Sequence, residues 1–167
     1  MSRVIASETT ESVPRALRGP LWALFVVATA YGLVLPVLPA LLGSSVPGGI
    51  AAATGALMAT YTLATVVASP VWGWLLDRYP ARRLLLIGLL GQGLVQLALW
   101  WPPSLTTLVV IRALQGALGA VAVPAVLTLA AQWCPPALYG AAVARVSWSA
   151  LLGGLAGPLL GGVLAQG

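Results

Sequence analysis

The chain has 167 residues, of which 60% are hydrophobic and 7% charged, and a net charge of +5. A soluble domain carries roughly a quarter charged residues to cover its surface, so this composition excludes a water-covered globule and implies an outer surface against a lipid bilayer. All eight cations are arginines set between apolar runs rather than gathered on one solvated face, which excludes nucleic acid as a partner.

In chain order, residues 1–19 form a polar tail with Arg3, Glu8, Glu11, Arg15 and Arg18, read as a mobile cytoplasmic segment. The apolar run that follows is longer than a signal-peptide core, and more such runs come after it. Five apolar segments stand out, at residues 20–42, 50–76, 83–101, 105–132 and 140–165. Each approaches or exceeds the ~20 residues that a helix needs to cross the hydrocarbon core. They lack the alternation of a membrane barrel. The fold class expected is therefore an all-α polytopic membrane protein with about five transmembrane helices, residues 20–167 forming one bundle.

The breaks between segments, at residues 43–49, 77–82, 102–104 and 133–139, are short. Such turns predict sequential antiparallel neighbours in an up-down bundle. Arg3, Arg15 and Arg18 in the tail, Arg78, Arg82 and Arg83 in the second turn, and Arg145 beside the fourth all fall on one side. The first and third turns carry no charge. By the positive-inside bias, the arginine side, with the N-terminus, is expected to be cytoplasmic. Trp100, Trp101 and Trp133 sit at span ends, where indoles anchor at the headgroups.

Four stretches carry more than span composition. The first span contains Gly32, Pro36 and Pro39, and the two prolines predict a loosened outer half. The second turn reads Gly73-Trp74-Leu75-Leu76-Asp77-Arg78-Tyr79-Pro80-Ala81-Arg82-Arg83, a compact charged hinge in which Gly73 would let another helix approach closely. Charge bias alone explains its arginines but not Asp77. In the fourth span Arg112, Gln115, Gly116 and Gly119 share one helical face by spacing. An arginine inside a span costs roughly 2.5–3.5 kcal/mol on insertion scales, so it faces a cavity or partner unless it snorkels to the outer surface about two turns away. The fifth span reads Gly153-Gly154-Leu155-Ala156-Gly157-Pro158-Leu159-Leu160-Gly161-Gly162. Its glycines every four residues predict close helix packing, and Pro158 favours a bend.

Two polar lines accompany these motifs. Tyr61, Thr65 and Ser69 lie four apart on the second span, and Gln92 and Gln96 on the third. Either line a pathway or act as interhelical hydrogen-bonding glue.

Together these stretches resemble the major facilitator superfamily. The second turn resembles its loop G-x-x-x-D-R-x-G-R-R, with Gly73, Asp77, Arg78 and Arg82 matching. Pro80 and Ala81 depart from it, and Arg83 keeps a second charge nearby. Arg112, Gln115 and Gly116 resemble the R-x-x-Q-G of proton-coupled members. Gly153, Gly157, Pro158, Gly161 and Gly162 resemble the antiporter motif of the drug-efflux members, and Gly32, Pro36 and Pro39 their first-helix G-x-x-x-P-x-x-P.

The resemblance implies a permease of a bacterial inner membrane that exports a small, lipophilic molecule in exchange for protons, with Arg112 in coupling. It also implies two six-helix halves, of which five helices here would supply most of the first. The loop around Asp77 and the glycine–proline helix would then meet a second half. The expectation is a fragment of a full transporter, or a half that assembles with a separate second half or with another copy of itself, or a remnant. A non-transporting membrane interaction protein is the alternative.

An enzyme is disfavoured: Ser69, Ser147 and Ser149 have no histidine or lysine to activate them. Clustered metal sites need more than Cys134. No cofactor is implied, and no phosphate-cradling glycine loop ends in lysine.

Overall fold

A computed structural model describes residues 13–42, 49–98 and 104–164. A short 3-10 turn, Arg15–Leu17, precedes six α-helices. They are α1 (Arg18–Leu42), α2 (Ile50–Leu76), α3 (Ala81–Leu97), α4 (Leu105–Gly119), α5 (Ala122–Trp133) and α6 (Pro136–Leu164). No strand occurs among the described residues. Helices are what apolar segments must form in lipid, where each backbone N–H and C=O has to be satisfied within its own segment.

Four stretches among the described residues are long and apolar enough to cross a membrane: Arg15–Val34, Ile50–Leu76, Leu105–Trp133 and Pro136–Val163. The third expected span is α3, described over 17 residues, about 25 Å of helix at 1.5 Å per residue. Its expected end, with Trp100, Trp101 and most of the third turn, lies outside the described residues, as does nearly all of the first turn.

The fourth span is not one helix. α4 ends at Gly119 and α5 begins at Ala122, with a turn at Ala120 and Val121 between them. Pro124 has no N–H to give the Ala120 carbonyl and its ring crowds that carbonyl, so the helix breaks there. At the other end of this crossing Ser104 caps α4, its hydroxyl accepting from the Thr107 N–H at 3.2 Å.

Two further expectations are corrected. The tail is not wholly free: Val13 and Leu17 are buried with Leu84, Leu85, Ala130 and Cys134, two apolar side chains one turn apart filling space beneath α3 and α5. Arg145 lies inside α6, nine residues after Pro136, and is exposed. Pro136 starts that helix early because the first turn needs no N–H donor. Nor do sequential helices dominate the packing. α1 packs most extensively on α6, α2 on α4, and α3 on α4 and α5, whereas α2 and α3 barely touch despite their tight turn. Side-chain size decides this, because the glycine-bearing faces allow closer approach than the leucine-rich ones.

Two apolar layers result. One holds Leu24, Ala81, Leu84, Ala125, Leu129 and Val146 towards the arginine-bearing end. The other is Val34, Leu57 and Leu108, from α1, α2 and α4. Around the outside Leu63, Val67, Leu90, Leu94, Leu159 and Val163 are all more than half exposed, an apolar girdle that only lipid or another apolar surface would cover.

Candidate functional site

Between the two apolar layers lies a polar one. Arg112 is one turn past Leu108 on α4, Tyr61 one turn past Leu57 on α2, and Tyr31 three residues before Val34 on α1. Arg112 is 1% exposed, Gln115 2% and Gln92 7%. The guanidinium therefore does not snorkel; Val34, Leu57 and Leu108, all at 2% exposure or less, close the space on its outer side.

This layer is only partly satisfied. Gln115 donates through Nε2 to Gln96 Oε1 across the α3–α4 interface. Arg112 Nε and Nη2, Gln92 Oε1 and Gln115 Oε1 are buried without a hydrogen-bond partner. Each such group costs about 1–3 kcal/mol, more when charged. Folding alone does not favour so many in one layer.

Missing side chains hold the layer together. A methyl on Gly116 would collide with the Tyr61 carbonyl oxygen, and that contact seats α4 on α2. A methyl on Gly119 would stand 3.2 Å from both Gln92 Oε1 and the Tyr61 hydroxyl. Hydrogen bonds then tie the pair: Thr65 Oγ1 donates to the Gly116 carbonyl at 3.1 Å and Trp72 Nε1 to the Ala117 carbonyl at 2.6 Å. Leu57 with Leu108, Tyr61 with Gly116 and Trp72 with Ala117 pair in rising order, so the two helices run parallel.

Tyr61, Thr65 and Ser69 line one groove of about 490 Å³, together with Tyr31, Val123 and Ala150. Thr65 is thus both glue and lining. Gln92 and Gln96 sit in the α3–α4 interface instead, and neither lines that groove. Sequence reasoning passed over Tyr31, whose ring lies 4.3 Å from that of Tyr61 between centroids and whose hydroxyl points to Met58 Sδ at 3.8 Å. A lone tyrosine in an apolar run one residue before Gly32 was its only signal.

The fifth-span motif is engaged inside the chain, against α1. A methyl on Gly157 would reach 2.5 Å from the Thr29 carbonyl oxygen and 2.7 Å from Gly32 Cα. On Gly153 or Gly161 it would overlap the Phe25 or Leu33 carbonyl. Pro158 fits over Gly32, where an added methyl would be 2.7 Å from the proline Cδ. Gly154 and Gly162, on the opposite face, meet nothing within 4 Å.

The charged turn is open. Asp77 caps α2 through its N–H to the Gly73 carbonyl at 3.2 Å, and Arg78 lays its guanidinium 3.8 Å over the Trp74 ring. Arg82 and Arg83 are exposed at the start of α3. Gly73 has nothing within 4 Å of an added methyl, so the close helix approach expected there is not made among the described residues.

Residues 21–167 match the model of the Major Facilitator Superfamily. The chain belongs to the major facilitator superfamily. It is 33% identical over 145 residues to "Multidrug resistance protein MdtG" of Proteus mirabilis (strain HI4320), covering 85% of this chain and 36% of that protein. The protein of the same name from Enterobacter lignolyticus (strain SCF1) is 34% identical over 145 residues, covering 85% and 34%. That of Escherichia coli O1:K1 / APEC is 33% identical over 145 residues, covering 85% and 35%. The chain therefore spans about a third of the length of the curated relatives it matches. No solved structure matches. All four motifs of this superfamily chain, from Gly32 to Gly162, fall inside the matched residues.

Proposed function

We propose that this chain is part of a bacterial inner-membrane permease that exports a small lipophilic molecule in exchange for protons. The observation that carries this reading is Arg112, 1% exposed between two apolar layers with two guanidinium nitrogens unpartnered. Ionisable groups buried in a span mark substrate or ion pathways by default. The relatives named for multidrug resistance support the export direction.

On this reading Arg112 responds to protons and substrate, and Gln115 holds the α3 side of the layer through Gln96. Tyr61, Thr65 and Ser69 face the pathway, with Tyr31 opposite them. Gly153, Gly157, Pro158 and Gly161 keep α6 rigidly on α1, so that the two move as one body. The exposed turn of Asp77, Arg78, Arg82 and Arg83 meets the second bundle on the cytoplasmic side. That bundle is supplied by further residues of a longer polypeptide, by a separate chain or by another copy. A bystander role in membrane association loses its main support, because the glycine face that would serve it is already engaged with α1.

The test is substrate-dependent proton movement in proteoliposomes holding a complete permease that contains this sequence. Arg112→Ala is expected to abolish gradient-driven transport with membrane levels retained. Transport that survives the change removes Arg112 from coupling.

A further inference from the structure

The glycine stripe of α6 stops short of the arginine-bearing end. Gly153, Gly157 and Gly161 meet the carbonyls of Phe25, Thr29 and Leu33 in rising order, so α6 and α1 run parallel. One turn nearer the arginine-bearing end, the same register pairs Ser149 with Leu21. A second turn brings Arg145 to the height of Leu17 and Arg18. Side chains stand there where the stripe has none, and the helices part. A cleft of about 290 Å³ opens between them, lined by Arg18, Leu21, Trp22, Phe25, Ser149 and Leu152.

The polar groups of this cleft are not spent on the protein. Ser147 returns its hydroxyl to the Val143 carbonyl at 3.2 Å, and Thr29 to that of Phe25 at 2.8 Å, the usual resort of a hydroxyl in a helix. The Ser149 hydroxyl makes no such bond among the described residues, and Ser149 is partly buried in the cleft wall. Arg145, Ser149 and Leu152 recur at the spacing of one helical face, and Arg18 and Arg145 are both exposed. Among the described residues the one carboxylate is that of Asp77, at the end of α2, and it does not line the cleft. Beyond the arginines the wall is apolar. The Trp22 and Phe25 rings meet edge to face at 5.5 Å. Trp22 is 66% and Leu152 50% exposed, so the cleft runs out onto the apolar girdle.

We propose that this cleft seats the headgroup phosphate of an anionic phospholipid of the adjoining leaflet, held by Arg18 and Ser149, with an acyl chain along Trp22 and Leu152. A phosphodiester offers acceptors to a guanidinium fork and to a hydroxyl at once. Basic pockets between membrane helices take such headgroups, and an indole suits the same depth. Only a ligand with an anionic head and a long apolar body matches both ends of the cleft. Free phosphate would leave Trp22 and Leu152 bare. A zwitterionic headgroup would bring an ammonium to two arginines, with no carboxylate in the cleft to receive it. The cleft shares no residue with the groove of Tyr31 and Tyr61, and the proposal does not rest on transport.

The experiment is native mass spectrometry of the full chain in detergent, titrated separately with dioleoyl phosphatidylglycerol and dioleoyl phosphatidylcholine. The first phosphatidylglycerol is expected to bind at least fivefold more tightly than the first phosphatidylcholine. Arg18→Gln is expected to leave less than a twofold preference, and Ser149→Ala to reduce it two- to threefold. Arg83→Gln removes the same charge from an exposed position on α3 and is expected to keep the preference. Equal binding of the two lipids to the unaltered chain overturns the proposal. So does an equal loss in Arg18→Gln and Arg83→Gln, the mark of a diffuse charge effect. Soluble glycerophosphoglycerol, the headgroup without acyl chains, is expected not to displace the lipid; displacement at equal concentration would make this a site for free phosphates and overturn the lipid assignment.

Should the variants fail to fold, photocrosslinking of the unaltered chain in nanodiscs decides. The probe is phosphatidylglycerol with a diazirine near the top of one acyl chain. Adducts are expected on the α1 and α6 peptides that hold Trp22 and Leu152, at several times the yield on the α3 peptide that holds the exposed Ile87 and Leu90. Even labelling of the three helices overturns the proposal.

Discussion

Gly157 of α6 rests on Gly32 of α1, so close that a methyl added to Gly157 would lie 2.7 Å from Gly32 Cα. With Gly153 over Phe25 and Gly161 over Leu33, the contact repeats every helical turn, backbone against backbone. Lipid is as apolar as leucine, so such close packing, with its many weak Cα–H···O contacts, is what holds membrane helices together.

Gly157→Val is therefore expected to lower stability by about 1–3 kcal/mol, the usual cost of overpacking. Gly162→Ala, on the open face, is expected to stay within about 0.5 kcal/mol of the parent. Both are read as midpoints of detergent-induced unfolding in micelles. Equal shifts for the two would mean that the α1–α6 face is not as drawn.

Trp72 ties α2 to α4 through the carbonyl of Ala117 at 2.6 Å. Trp72→Phe keeps most of the ring and removes the N–H. It is expected to cost ~0.6 kcal/mol, and no more than about 1.7, the span measured for hydrogen bonds between membrane helices. The same unfolding midpoint reports it, and an unchanged midpoint would show that the bond carries no stability.

Much of this was open to a reading of residue types. Helical crossings follow from run length, and the buried face of α4 from the spacing of Arg112, Gln115 and Gly116. Which helix each face meets was not, because a glycine stripe states that something approaches without naming it. The stripe on α6 fits α1 because Ala28, Gly32 and Pro36 are small or compact at matching heights, a relation between distant segments. The break at Ala120 was readable in principle from Pro124, whose missing donor was overlooked inside a long apolar run. Val13 and Leu17 were missed because two apolar residues in a polar tail carry no periodicity.

Topology gives a sharp expectation. The arginines of the turn at Arg78, Arg82 and Arg83 bias that end to the cytoplasm. With Cys134 replaced, a cysteine at Ser45 is expected to react with an impermeant reagent added outside intact cells, and one at Tyr79 to be protected. Tyr79 is exposed at the turn, so its protection would reflect the membrane and not burial. Labelling in the opposite sense would reverse the orientation.

This 167-residue polypeptide by itself is expected not to transport. In this superfamily substrate sites lie at the interface between repeats, and access alternates as one bundle rocks against the other. The chain spans about a third of the length of its relatives. Its groove is bounded by α1, α2, α4, α5 and α6 of one bundle only. The turn of Asp77 is exposed and Gly73 faces open space, so nothing among the described residues favours one facing of the groove over the other. Release on the opposite side would then have no driving motion. The measurement is uptake by proteoliposomes of the purified chain under an imposed proton gradient. Lipophilic cations would be offered, with empty vesicles as the baseline. Uptake at baseline is the expected outcome, whereas strong gradient-dependent uptake would mean that copies of the chain pair to build the second bundle.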